Sequence, residues 1–223
     1  MKKYILITGS KGFIGKHLIK TISSMPEYTI YEYSKQSSWE DLESIIDDID
    51  FIFHLAGEVN PKSSPQSFFE GNVNLTQKLV DLLQKKEIKI PILLASSIHA
   101  ENPKNDYGIT KKQSEDVIVR YGTSQDVPVY IYRLFHLFGE ECKPNYNSVI
   151  STWIYNSIHD LEIQIFDREI KMHYSYVQDV VQEFAAHLTS NVHPANCFLK
   201  SSLIYCAKAL IIAEDYWFIL HMF

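Results

Sequence analysis

The spacing of three glycines near the amino terminus limits the fold of this 223-residue chain more than any other feature. A short apolar run at residues 4–8 leads into the glycines, and apolar residues then recur at helical spacing. Glycine permits a sharp turn and a close backbone approach to a pyrophosphate, and the following helix N-terminus attracts negative charge. The pattern predicts a dinucleotide site, although a loop could carry this spacing by chance. The residues predicted to bind the diphosphate are Gly9, Lys11, Gly12, Phe13, Ile14 and Gly15.

Short apolar runs alternate with longer helical patterns along most of the chain. Strands are predicted near residues 4–8, 28–33, 51–55, 90–96 and 127–134, with helical patterns between them. Strands separated by helices of this length form βαβ units. Residues 1–190 are therefore predicted to form an α/β, Rossmann-like doubly wound parallel sheet that includes part of a substrate lobe.

The segment 191–223 differs in composition from the rest of the chain. It is mostly apolar, with few charged residues and two of the three cysteines. One interpretation is a buried amphipathic helix, and the other is a truncated or frame-shifted replacement for a normal C-terminal lobe. Charged residues interrupt the apolar run, which disfavours a membrane anchor. A small, truncated C-terminal lobe is the expected architecture, with both interpretations open.

Charge and cysteine content exclude several classes of partner. Lys and Arg number 21 against 27 Asp and Glu, giving a net charge of −6, and no basic run is present. We therefore expect no nucleic-acid and no membrane partner. The cysteines form no C-x-x-C pair, which fits a reducing compartment, and no metal site is predicted. The sequence favours a cytoplasmic protein.

The end of the second predicted strand bears on which dinucleotide binds. NAD-binding domains usually place an acidic residue here to hold the ribose 2′-hydroxyl, whereas this strand ends in Ser34 and Lys35. A hydroxyl and a cation suit a 2′-phosphate, so the sequence predicts NADP(H) as the preferred cofactor. NAD(H) stays open, because a shift of register would let Glu32 act as the acidic residue.

A tyrosine and a lysine four residues apart occur twice, and their context separates them. Tyr31 and Lys35 span a strand end, where they would lie far apart, whereas Tyr107 and Lys111 open a predicted helix and share one face. A nearby ammonium is expected to lower the phenol pKa and make Tyr107 a usable general acid or base.

A predicted strand ending in two serines precedes that helix. The carboxyl ends of parallel strands line the ligand crevice of such a sheet, so Ser97 is predicted to hydrogen-bond a substrate oxygen, with Ser96 in reserve. The alternative is that both serines simply finish the strand. His54, at another strand end, is expected to be a buried histidine paired with backbone and without a chemical role.

These motifs together resemble those of the NAD-dependent epimerase/dehydratase family, the extended short-chain dehydrogenases/reductases. The resemblance covers roughly residues 1–190 and looks closest to the nucleotide-sugar 4-ketoreductases of bacterial capsule synthesis, with residues 142–150 behind that closer match. The motifs that carry it are Thr8-Gly9-x-x-Gly12-x-x-Gly15, His54-Leu55-Ala56-Gly57, Ser97 and Tyr107-x-x-x-Lys111.

The resemblance implies reduction of a UDP-linked 4-keto-6-deoxy-N-acetyl-amino sugar by NADPH, with Ser97, Tyr107 and Lys111 as catalytic residues. It also implies a homodimer. Further cofactor contacts would come from Leu55, Ala56, Gly57, Asn72 and Lys111. Substrate contacts would come from Arg133, Asn145, Asn147 and Ser148. For the last three, the alternative is a polar loop that caps the helix beginning at Val149.

Several departures from the family pattern keep other functions open. Residues 34–50 leave no room for the usual third strand, His136 stands where asparagine is usual, and Gln178 replaces an acidic residue. The clustered histidines of a zinc-binding cupin domain are missing. An epimerase with tightly bound NAD and a non-catalytic dinucleotide-binding fragment are the two alternatives to a reductase.

Overall fold

The computed structural model describes residues 2–165 and 172–189, together with the backbone of residues 198–201. The first half contains β1 (Lys3–Thr8), α1 (Phe13–Ile22), β2 (Tyr28–Tyr33), α2 (Trp39–Ile45), β3 (Phe51–His54), α3 (Pro65–Phe68), a π-helical segment (Phe69–Asn74) and α4 (Leu75–Lys85). The second half contains β4 (Ile92–Ser97), α5 (Asp106–Gln125), β5 (Val129–Leu134), β6 (His136–Phe138), α6 (Val149–Ile158), β7 (Tyr174–Tyr176), α7 (Val177–Thr189) and β8 (Phe198–Ser201).

Six of the strands form one parallel sheet, in the order β2-β1-β3-β4-β5-β8. The predicted α/β Rossmann-like fold is confirmed. A single 3₁₀ turn, Ile46–Asp48, follows α2 before the chain enters β3, so β2 is an edge strand and the additional strand is missing, as predicted. Strand β8 comes from the segment predicted to be atypical, while the remaining residues of 190–223 lie outside the described part.

Both faces of the sheet are covered, which explains the nearly continuous apolar strands. Because side chains alternate along a strand, Leu6 of β1 faces one core while Ile5 and Ile7 face the other. The first core receives residues from α2, α4 and α5, and the second receives residues from α1 and α7. Because the six strands are parallel, their carboxyl ends lie together at one edge of this covered sheet.

The predicted long helix over residues 65–86 contains a π-helical segment at its centre. This segment, Phe69–Asn74, lies between α3 and α4 and contains Asn72, which is buried. Such segments insert an extra residue into a helix and frequently occur at functional sites. The segment places the Asn72 side chain against Gly57, in the loop after β3.

Among residues 2–165 and 172–189, no helix combines the length and apolar character needed to cross a membrane. Within the same residues, no three His, Cys, Asp or Glu side chains are grouped so that they could bind a metal ion.

Candidate active site

The glycine turn between β1 and α1 is held too tightly for side chains at two positions. Gly9 has φ +73°, and a Cβ there would lie 2.7 Å from the Ala56 nitrogen. A Cβ on Gly15 would lie 2.3 Å from the Gly9 oxygen. Gly12 is the N-cap of α1 and offers no side-chain cap, so the N–H groups of the first turn are left for an external acceptor.

The residues at this turn fit the diphosphate of a dinucleotide. The Ser10 hydroxyl is 1% exposed and lacks a hydrogen-bond partner among the described residues, which leaves a buried polar atom beside the turn. Phe13 and Ile14 are half-buried in the first turn of α1 and pack on the core, so their backbone N–H groups are fixed in position. Free N–H groups at the N-terminus of a ten-residue helix are a suitable anion site.

Replacing Gly15 with Ala is expected to abolish dinucleotide binding and to lower the free energy of unfolding by about 2 kcal/mol or more. The added Cβ would overlap backbone atoms of Gly9 and Ser10, which cannot move without opening the turn. Dinucleotide fluorescence and chemical denaturation measure both effects. Lys20→Ala, at an exposed position of the same helix, is the matched control; a Gly15→Ala protein that binds like this control would contradict the assignment.

The expected adenosine end of the site carries two lysines and two glutamates. Lys11 Nζ lies 2.8 Å from Glu32 Oε2, and Lys35 Nζ lies 3.2 Å from Glu58 Oε2. The Ser34 hydroxyl donates to Gln36. The Lys11–Glu32 pair is exposed on both sides and contributes little to stability, whereas in the other pair Lys35 is exposed and Glu58 is mostly buried. The predicted cationic residues are present, but each is balanced by a carboxylate.

Asn72 and Lys111 meet at Gly57, in the loop that follows β3. A Cβ on Gly57 would lie 2.7 Å from Asn72 Oδ1 and 3.9 Å from Lys111 Nζ, so this position keeps space open between them. Asn72 Oδ1 accepts a hydrogen bond from the Glu58 N–H, and its amide nitrogen donates to Thr110. The loop after β3 is thereby attached to the helix that carries Lys111.

Lys111 is a buried cation bound to the end of a neighbouring strand. Its ammonium donates to the Ala95 carbonyl oxygen at 2.7 Å, and the residue is 5% exposed. Burial lowers the pKa of Lys111 to about 8, while the Glu115 carboxylate opposes that shift. An ammonium has three N–H donors, so Lys111 can bond to Ala95 and still donate to ligand hydroxyl groups.

Tyr107 and Ser97 lie together at the carboxyl edge of the sheet. Asn105 caps α5, so Tyr107 falls in the first helical turn, where its ring contacts Phe68 and His99. Burial raises the pKa of Tyr107, and a hydrogen bond with Ser97 partly opposes this. Burial thus outweighs the lowering that was expected from Lys111, whose ammonium is bound to Ala95. The phenol is protonated at neutral pH.

Residues 5–196 match the NAD dependent epimerase/dehydratase family. The chain belongs to this family. It is 37% identical over 180 residues to the UDP-2-acetamido-2,6-beta-L-arabino-hexul-4-ose reductase of Pseudomonas aeruginosa, an alignment that covers 81% of this chain and 48% of that protein. A crystal structure of the capsular polysaccharide assembling protein CapF from Staphylococcus aureus is similar with a TM-score of 0.74 and 40% identity, covering 86% of this chain and 52% of that one.

The chain therefore spans about half the length of these two relatives. A UDP-glucuronic acid 4-epimerase from Bacillus cereus, solved in complex with NAD, is similar with a TM-score of 0.77 at 20% identity, over 88% of this chain and 76% of that one. At this identity the likeness shows a shared fold alone. The predicted membership of the epimerase/dehydratase family is confirmed.

Ser96, the second candidate for the substrate hydrogen bond, is bonded to the carboxylate of a buried ion pair. Ser96 donates to Glu115 Oε1 at 2.6 Å, whereas Ser97 Oγ accepts the His99 N–H at 3.3 Å. Glu115 also accepts two hydrogen bonds from Arg133, at 2.9 and 2.7 Å. The guanidinium predicted to contact the sugar is thus directed at a carboxylate within the domain. These bonds fix α5 against β5, and a substrate contact by Arg133 stays a prediction.

The loop predicted to contact the sugar nucleotide caps a helix. Ser148 is the N-cap of α6, and its hydroxyl accepts hydrogen bonds from Ser151. Asn145 has φ +55°, and its N–H donates to Thr152. Asn147 is exposed. The structure supports the capping role that the sequence left open, and substrate contacts by these three residues stay a prediction.

Two histidines near Tyr107 were not predicted to belong to the site. The rings of His99 and Tyr107 have centroids 5.8 Å apart, and His136 lies 6.1 Å from His99. Burial and the neighbouring His99 lower the pKa of His136. The sequence signal that could have placed His99 in the site is its position two residues after Ser97. Residues in a short turn after a strand stay near the carboxyl edge of the sheet.

Proposed function

We propose that the chain is the reductase unit of an enzyme that reduces a UDP-linked 4-keto-6-deoxy-N-acetyl-amino sugar with NADPH in surface polysaccharide synthesis. The observations that carry the proposal are two: Tyr107 interacts with Ser97 at the end of β4, and Lys111 of the same helix lies beside Gly57, in the loop that packs on the glycine turn. The similarity to a UDP-hexulose reductase and to a capsule protein supports this substrate class.

The protonation state of Tyr107 is the one that reduction of a ketone uses. Reduction of a ketone requires an acid that gives a proton to the carbonyl oxygen, whereas oxidation of an alcohol requires a base. Because burial raises the pKa of Tyr107, the phenol holds its proton at neutral pH. This is the form that a ketoreductase needs at the start of the reaction.

Three side chains would divide the work at the carbonyl. Tyr107 would donate its proton to the ketone oxygen, and Ser97 would hydrogen-bond the same oxygen as charge develops on it. Lys111 would hold the hydroxyl groups of the nicotinamide ribose. A bound nicotinamide dinucleotide would supply the hydride. The residues present at the glycine turn and at Gly57 fit this group.

NADPH is the proposed dinucleotide because Lys11 and Lys35 lie near the end of β2. Lys11 pairs with an exposed glutamate that a 2′-phosphate could displace, and the exposed Lys35 side chain could turn from Glu58 to the same group. Glu32 would instead favour the 2′-hydroxyl of NADH if its pair with Lys11 opened. The net charge that the two lysines and the two glutamates present to the adenosine ribose decides between NADPH and NADH.

A fluorescence titration of the purified chain with NADPH and NADH tests the cofactor assignment. We expect NADPH to bind at least about tenfold more tightly than NADH, a difference that one or two additional charged contacts would give. We also expect the bound NADPH to exchange freely with the solution. Equal affinities would contradict the NADP(H) preference. Stoichiometric NAD that stays bound through purification would favour an epimerase, and binding of neither ligand would refute the enzyme assignment.

A further inference from the structure

His54 lies at the carboxyl end of β3 between two threonines from different elements. Its Nδ1 is 2.8 Å from Thr8 Oγ1, at the end of β1, and its Nε2 is 2.9 Å from Thr76 Oγ1, in α4. The three residues are each 2% exposed or less. The pairing differs from the expected one, because both partners are hydroxyl groups rather than backbone.

The other bonds of the two hydroxyls decide which imidazole nitrogen carries the proton. Thr76 Oγ1 donates to the Asn72 carbonyl at 2.5 Å, so its proton is used and it accepts from His54 Nε2–H. Thr8 Oγ1 accepts the Ala56 N–H at 3.2 Å, and its own proton is free to reach His54 Nδ1. Every donor then has one acceptor only if His54 is neutral and protonated at Nε2.

This chain of hydrogen bonds connects the two halves of the proposed dinucleotide site. Thr8 immediately precedes Gly9 of the glycine turn, and the chain of bonds ends on Asn72. The Asn72 side chain holds the backbone of Glu58 and bonds to Thr110, the neighbour of Lys111. The Asn72 carbonyl also lies 2.9 Å from Ser114 Oγ of the same helix.

We infer that His54 is a positioning residue whose Nε2-protonated ring fixes the glycine turn relative to Asn72 and Lys111. The inference rests on the proposed binding of a dinucleotide, whose diphosphate and nicotinamide ribose would occupy the two ends. A ligand that spans both ends needs their separation to be fixed, whereas a ligand that binds only the turn does not. Burial and the Lys111 ammonium lower the pKa of His54 to about 3, which keeps the ring neutral.

Nitrogen NMR of the protein labelled with ¹⁵N-histidine tests the ring state without any ligand. The signals that disappear in a His54→Gln variant belong to His54. We expect them to show a neutral ring with the proton on Nε2. The signals should not change between about pH 5.5 and pH 8, the interval in which an unperturbed histidine, with a pKa of about 6.5, gains its second proton. A proton on Nδ1, or titration in this interval, would overturn the inference.

A threonine variant tests whether the ring acts by positioning. Thr76→Val keeps the shape but removes both the acceptor for Nε2–H and the donor to Asn72. We expect its affinity for NADPH to fall about tenfold while its affinity for 5′-ADP, which reaches only the glycine turn, changes less than about twofold. Thr76→Ser retains the hydroxyl and should bind both ligands like the unaltered protein.

The comparison of the two ligands separates the inference from the proposed function. An equal loss of affinity for NADPH and 5′-ADP in Thr76→Val would show general structural damage and would overturn the positioning role. Unchanged NADPH affinity would also overturn it. Failure of the unaltered protein to bind either ligand would instead refute the proposed function, and the NMR result would then still decide the state of His54.

Discussion

Replacing Tyr107 with Phe is expected to lower the rate of keto-sugar reduction by about a thousandfold, because the change removes the only proton donor proposed for the carbonyl oxygen. The half-buried ring packs against Phe68 and His99, and Phe keeps that shape. Affinity for NADPH should stay within about twofold, because the phenol hydroxyl is not needed at the glycine turn. Single-turnover oxidation of NADPH and a fluorescence titration measure the two quantities.

Tyr155→Phe, at a tyrosine that is 38% exposed on α6, is the matched control for that experiment. It should leave both the rate and the affinity unchanged. A Tyr107→Phe protein that reduces the sugar at more than about a tenth of the normal rate would remove Tyr107 from the chemistry. A parallel loss of NADPH affinity would mean that Tyr107 supports binding rather than proton transfer.

Replacing Lys111 with Met is expected to stabilise the fold while abolishing reduction. Burial lowers the pKa of Lys111 from 10.5 to about 8, so the unfolded chain holds the proton more tightly than the folded one. This costs stability on the order of 3 kcal/mol at pH 7, where both states are charged. The cost declines as the pH rises from about 8 toward 10.5. Met fills a similar volume without a charge.

Urea denaturation of both proteins at pH 7 and pH 10 measures this effect. The free energy of unfolding of Lys111→Met should exceed that of the unaltered protein at pH 7, and the difference should shrink at pH 10. Lys112→Met is the matched control, because Lys112 is partly exposed and pairs with Asp116 on the surface. Its effect should stay within about 1 kcal/mol. A Lys111→Met protein less stable than this control at pH 7 would show that the ammonium stabilises the fold.

The fold and the glycine turn could be predicted because their signals are local. Alternation of apolar strands with helices reports a sheet covered on both faces, and the glycine spacing reports a turn whose geometry depends on a few consecutive residues. The missing strand between β2 and β3 was predictable for the same reason, since residues 34–50 hold little more than one helix.

The partners of the site residues could not be predicted, because they come from distant parts of the chain. Lys111 bonds to Ala95 and Arg133 bonds to Glu115, and neither pairing has a signature in the sequence. The sign of the shift in the Tyr107 pKa depends on whether burial outweighs a nearby charge. A Y-x-x-x-K spacing fixes the shared helix face but says nothing about the depth of the phenol.

The hydrogen-bond partners of His54 could be identified only from the fold. The sequence predicts a buried histidine without a chemical role, and the structure keeps it buried. Its two threonine neighbours are 46 and 22 residues away along the chain. Only the sheet register that sets Thr8 opposite His54 makes the hydrogen-bond chain visible.

The transfer of deuterium from NADPH that carries two deuterium atoms at nicotinamide carbon 4 to a UDP-linked 4-keto-6-deoxy-N-acetyl-amino sugar tests the central claim most directly. Mass spectrometry of the product made by the unaltered chain should find one deuterium at sugar carbon 4 for each NADPH oxidised, and none with Tyr107→Phe within a single turnover time. NADPH that binds at the glycine turn but transfers no deuterium to the sugar would contradict the account.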